Sequence, residues 1–166
     1  GEIAGKFPLW SWLTIGDPGW PIAGHVPAAK IQHLEWTPAP LFFKAFLEAQ
    51  PGVVIVPLQD TPFNRSKSNI AWLEGCAAGA VVVCPDWPEW QVPGTFRYKD
   101  TADFAAKLKE ALSTPRKKRA EMTAEGQAYI REHLFLSKIN ELRLKSIVDL
   151  VKNTPVDKFI QENKLK

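Results

Sequence analysis

Two short runs of residues, Val53-Val-Ile-Val56 and Ala80-Val-Val-Val-Cys84, are apolar at every position and flank a stretch with helical spacing. A strand with one wet face alternates apolar and polar side chains, so a run without alternation belongs in a sheet covered on both faces. Strand, helix, strand is the connection that returns the chain to the same end of a sheet and makes the two strands parallel. The expected fold class is α/β, a Rossmann-like doubly wound parallel sheet followed by C-terminal helices.

The rest of the chain fits around that unit. Residues 7–16 read as a buried strand stopped by Gly16-Asp-Pro-Gly19, and 17–29 as a Pro/Gly-rich connection. Residues 31–36 read as a second strand and 40–49 as a helix with Leu41, Phe42, Phe43, Phe46 and Leu47 on its apolar side. A helix over 65–78 is stopped by Gly79, and 96–98 forms a short strand. Helices over 101–112, 116–133 and 137–151 follow, with a last turn near 156–161. The expected organisation is one domain over 1–151 and a helical tail over 152–166.

In open parallel sheets ligands gather at the carboxyl ends of strands. That rule selects the turn after Ile15, the segment 34–37, and the loops 58–68 and 85–91. The loop at 58–68 has the chemistry for an anion. Asn64 or Ser66 is placed to cap the expected helix, and Lys67 and Ser68 fall in its first turn, where free N–H groups, a hydroxyl and a cation converge. Lys67 and Glu74 are seven residues apart, two helical turns on one face with roughly 10 Å of rise between them. A diphosphate near the first and a ribose near the second fit that spacing.

Composition excludes several classes. At 166 residues and 45% hydrophobic content the chain supports one globular core. The net charge of +3 is well mixed, and the basic run Arg116-Lys-Lys-Arg119 has no interleaved aromatics, so it reads as a solvated helix face, not a nucleic-acid surface. Cys76 and Cys84 lack the spacing of a zinc site or disulfide scaffold and read as buried thiols. His25, His33 and His133 are too scattered for a metal centre. No apolar run approaches a membrane span and no signal peptide opens the chain. A cytoplasmic protein is expected, with a membrane-peripheral role left open.

The stretch Lys67-Ser-Asn-Ile-Ala-Trp-Leu-Glu-Gly-Cys-Ala-Ala-Gly-Ala-Val-Val-Val resembles the helix, glutamate and Ala-Ala-Gly-Pro-Val-Val signature in the C-terminal, donor-binding domain of retaining, group 1-like GT-B fold glycosyltransferases. Leu13-Thr-Ile-Gly-Asp-Pro and 53–58 are similar to that domain's strands, and 116–151 to its closing helices. The resemblance covers about 9–151. It implies that Glu74 binds ribose hydroxyls, that Ser66, Lys67 and Ser68 lie at the diphosphate, and that backbone around 34–36 holds the base. Ser66 stands where the motif has its first acidic residue, and Asp60 is expected to replace that residue as the donor-sugar contact. Glu89 resembles the acidic residue after the last donor-site strand. Trp36, Trp87 and Trp90 flank the expected crevice and are candidates for stacking on a base or sugar. The resemblance also implies that a first strand and helix precede Phe7 and an acceptor domain precedes Gly1, so that this chain is a fragment.

The expected function is binding of a nucleotide-diphosphate sugar for transfer to a glycan or similar acceptor. It is a hexosyltransferase-like reaction without metal or other cofactor, in which the isolated chain is inactive. No general base is recognisable. The alternatives are a non-catalytic nucleotide-sugar-binding or interaction module and a sugar-nucleotide epimerase. A dinucleotide oxidoreductase is disfavoured, because no Gly-x-Gly-x-x-Gly follows a strand.

Overall fold

A computed structural model describes residues 1–16, 22 and 24–153. In chain order the elements are α1 (Glu2–Gly5), β1 (Trp12–Ile15), a 3₁₀ turn (Ala28–Lys30), β2 (Ile31–Leu34), α2 (Ala39–Ala49) and β3 (Val53–Ile55). Next come α3 (Pro62–Arg65), α4 (Ile70–Ala77), β4 (Val81–Pro85), a 3₁₀ turn (Pro88–Trp90) and β5 (Thr95–Tyr98). The chain finishes with α5 (Thr101–Ser113), α6 (Arg116–Tyr129), a π-helical turn (Ile130–Leu134) and α7 (Leu136–Asn153). The turn expected at 17–19 and the last turn at 156–161 lie outside the described residues, as does the expected tail from 154 onward.

The fold is mixed α/β with parallel sheets and a long C-terminal helix. Where one continuous sheet was expected, the described strands form two: β1 pairs with β2, and β3, β4 and β5 pair in that order, all in parallel. β1 and β3 do not pair, and both instead border a cavity of about 640 Å³. The strand expected over 7–16 is ordered as β only at Trp12–Ile15, because Phe7 and Trp10 are taken up in turns that follow α1.

β4 is the centre of the three-stranded sheet, and all five of its residues are buried. Successive strand residues face opposite sides. Val81 and Val83 pack with Phe96 and Tyr98 of β5 against Leu108, Ala111 and Leu112 of α5. Val82 points the other way, toward α4, where a Cβ on Gly75 would lie 2.8 Å from Val82 Cγ2 and 3.4 Å from Val54 Cγ2. Gly75 therefore sets how closely α4 approaches the sheet. Gly79, with φ of +84°, reverses the chain after α4. The Ala80 N–H donates to Gly75 O at 2.8 Å and closes the helix end.

The chain divides into two units, Gly1–Gln127 and Ala128–Lys166. In the second, the Tyr129 and His133 rings lie 4.5 Å apart, and α7 exposes Leu142, Leu144, Ile147 and Leu150. Cys76 and Cys84 are free and buried as expected, and burial pushes their thiols up to about 11 and about 12. No helix among the described residues is long and apolar enough to cross a membrane.

Candidate functional site

The carboxyl ends of β3, β4 and β5 are drawn together by Tyr98, the last residue of β5. The Leu58 N–H donates to its hydroxyl at 2.8 Å, and the hydroxyl donates to the Val56 carbonyl at 3.0 Å, with Leu58 O at 3.1 Å. Burial pushes the phenol above its ordinary value, so it stays protonated and able to donate. The segment after β3 is thus anchored before it turns outward to Asp60. Neither periodicity nor spacing pointed to Tyr98. The available signal was its position as a polar-tipped aromatic at a strand's carboxyl end.

The expected helix over 65–78 is broken. Thr61 caps a single turn, α3, accepting the Asn64 N–H at 3.1 Å, with Pro62 at the first helical position. Ser66 closes that turn, its hydroxyl donating to Phe63 O at 2.8 Å. The chain then passes through exposed Lys67 and Ser68 before α4 begins at Ile70. Lys67 and Ser68 therefore precede the helix, and Lys67 does not share a helical face with Glu74. The reason is local: Thr-Pro at 61–62 is itself a helix start, and a helix begun there ends before Lys67.

Asn69 is the N-cap of α4 by position, but its side chain does not cap the helix. Its amide donates instead to Glu89 O at 2.9 Å, which ties the loop after β3 to the loop after β4. Among the described residues no side chain caps the first N–H groups of α4, just beyond Lys67 and Ser68. The Lys67 ammonium lies 5.1 Å above the Phe63 ring. Asn69 was overlooked in the sequence, although a polar residue immediately before the apolar run Ile70-Ala-Trp-Leu73 is a capping signal.

Glu74 is half-buried on α4, and burial raises its carboxyl above the ordinary 4.5. Among the described residues no side chain pairs with that carboxylate. Asp60 is the opposite case. It receives Arg65 through Nε at 2.5 Å and Nη2 at 2.7 Å, a two-pronged pair that holds its carboxyl below the usual range. Arg65 also lies 5.4 Å over the Trp87 ring. Both partners are exposed, so the pair orients Asp60 more than it stabilises the fold.

The expected aromatic contacts separate. Trp87 and Trp90, both in the loop after β4, are buried, and among the described residues Trp90 Nε1 has no hydrogen-bond partner. Trp36 is 86% exposed beyond the end of β2. Glu89 is exposed, and its backbone rather than its carboxylate holds Asn69. No cluster of His, Cys, Asp and Glu among the described residues suits a metal ion. Among the described residues the cavity beside β1 and β3 shares only Pro57 with this loop cluster. The chain matches no protein-family model, no curated protein and no solved structure.

Proposed function

We propose that the loops after β3 and β4, with Glu74 behind them, bind a nucleotide-diphosphate sugar, and that the chain is the donor-binding part of a glycosyltransferase. The observation that carries this reading is Glu74, a half-buried carboxylate with no protein partner among the described residues. Partial burial makes its charge costly, and sugar hydroxyls are well suited to donate to a part-buried carboxylate. The uncapped start of α4, with Lys67 and Ser68 before it, supports an anion next to that position. Negative charge developing on a departing diphosphate would be stabilised there by backbone dipoles and a lysine, without a metal. The finer fold assignment, a Rossmann-like donor domain of the GT-B type, belongs to the same proposal.

A second reading, a module that binds nucleotide-sugar without transferring it, is favoured by Asp60. Its carboxylate is held by Arg65 rather than left open to a donor sugar. Calorimetric titration tests the shared core of both readings. UDP or GDP is expected to bind more tightly than the matching nucleoside, and Glu74→Ala to weaken binding by about 1–3 kcal/mol, the scale of a lost charged hydrogen bond. Equal affinity for nucleoside and diphosphate would remove the anion site. Addition of a glycan acceptor with the intact nucleotide-sugar then separates transfer from binding alone.

A further inference from the structure

The unpaired edges of β1 and β3 carry an inference independent of the nucleotide site. Among the described residues β1 pairs only with β2 and β3 only with β4. In a parallel strand alternate residues direct both backbone groups to the same neighbour, so the known bonds fix which residues face outward. The Gly16 N–H donates to Leu34 O, which assigns the even-numbered residues of β1 to β2. Val56 N–H donates to Val83 O, and Val81 N–H to Gly52 O, which assigns the even-numbered residues of β3 to β4. Leu13 and Ile15 on one strand, and Val53 and Ile55 on the other, are left with their N–H and C=O groups turned away from any strand. All four line the 640 Å³ cavity.

The Trp10 side chain, just before β1, reaches the start of β3: a Cβ on Gly52 would lie 3.2 Å from its ring. Among the described residues no charged side chain lines the cavity, and Trp12 Nε1, buried at its wall, has no acceptor. A small apolar molecule would fill the volume but leave both rows of backbone groups unmet. A strand supplies donors and acceptors along both of its edges at the sheet spacing, and carries carbonyls for an indole N–H.

We propose that the gap between β1 and β3 is a receiving slot for one extended, uncharged apolar peptide strand, which pairs with both edges and joins the two sheets into one. Its central residues are Val- or Ile-like, because a strand in that position is covered on both faces. Recognition is by strand addition, with main-chain hydrogen bonds giving affinity.

The test uses the whole chain and a fluorescein-labelled, amidated peptide of sequence KKVVIVGK, whose lysines keep it soluble. Saturable binding is expected, with hydrogen exchange slowed at the amides of Leu13, Ile15, Val53 and Ile55. The same peptide N-methylated at its four central amides keeps its apolar surface but loses its donors and is expected not to bind. Val53→Pro removes one outward N–H without removing a β3–β4 bond, and its binding is expected to be about tenfold weaker, the scale of one hydrogen bond. Equal binding of the methylated peptide would mean simple apolar capture and overturn the proposal. So would absence of saturable binding, or protection of those four amides before any peptide is added, which would mean that β1 closes directly on β3.

Discussion

The Tyr98 hydroxyl accepts the Leu58 N–H at 2.8 Å across 40 residues of chain, and through it β5 holds the segment that leads to Asp60. Tyr98→Phe leaves the ring against Phe104, whose centroid is 5.0 Å away, but removes the hydroxyl that ties Leu58 and Val56 to β5, leaving them only the Leu58 N–H to Val56 O bond of 3.1 Å. The variant is expected to lose about 1–3 kcal/mol in chemical unfolding. Hydrogen exchange should quicken at Leu58 while the β4 amides stay protected. Unchanged exchange at Leu58 would show that the segment is held some other way.

Glu74 makes stability fall as pH rises. Below its ordinary 4.5 the carboxyl is protonated in both folded and unfolded chains and imposes no charge penalty. Between that value and its raised folded value the folded chain holds a proton that the unfolded chain has released, so stability declines with pH. Above the folded value the penalty is complete. Glu74→Gln is expected to flatten that decline and to raise the melting temperature at neutral pH. Thermal unfolding of both proteins between pH 4 and 8 checks it, on the order of the ordinary carboxyl range and above; a Gln variant with lower stability at neutral pH would mean that the carboxylate is paired in the fold.

Gly126 on α6 faces Cys76 on α4 at a distance that leaves no room for a side chain. A Cβ there would lie 2.7 Å from Cys76 Sγ and 3.3 Å from Pro93 O. The contact is reinforced by Gln127, whose amide donates to Cys76 O at 2.8 Å. Gly126→Ala is expected to destabilise by about 1–3 kcal/mol, as overpacking does, despite the better helix propensity of alanine. Cys76→Ala added to it should recover part of the loss, and strict additivity of the two in denaturant unfolding would contradict the contact.

How much of this was legible beforehand depends on how local the cause was. β4 could be read because every residue from Val81 to Val83 is apolar and β-branched, and Gly79 marked the end of α4 because a left-handed position favours glycine. The helix starting at Pro62 was misread because Lys67, Ser68 and Glu74 drew attention to one long helix, while Thr61-Pro62 encoded an earlier, shorter one. The division into two sheets was not legible, since pairing between β1 and β3 depends on what lies between them and not on either strand's own pattern. Tyr98 was invisible for the same reason, its partners lying 40 and 42 residues away. Within the candidate site the sequence singles out Glu74 and Lys67 by residue type, but not their spatial relation, because that depends on the break before Ile70.

The central claim is that an anionic nucleotide sits where the loops after β3 and β4 meet. It is tested most directly by titrating isotopically labelled protein with UDP and with GDP and following the backbone amides by NMR. One of the two is expected to shift the signals of Ser66, Lys67, Ser68, Ile70 and Ala71, together with Glu89 and the neighbourhood of Glu74, while the matching nucleoside shifts the first group far less. Shifts confined to residues bordering the β1–β3 cavity, or none with either diphosphate, would contradict it.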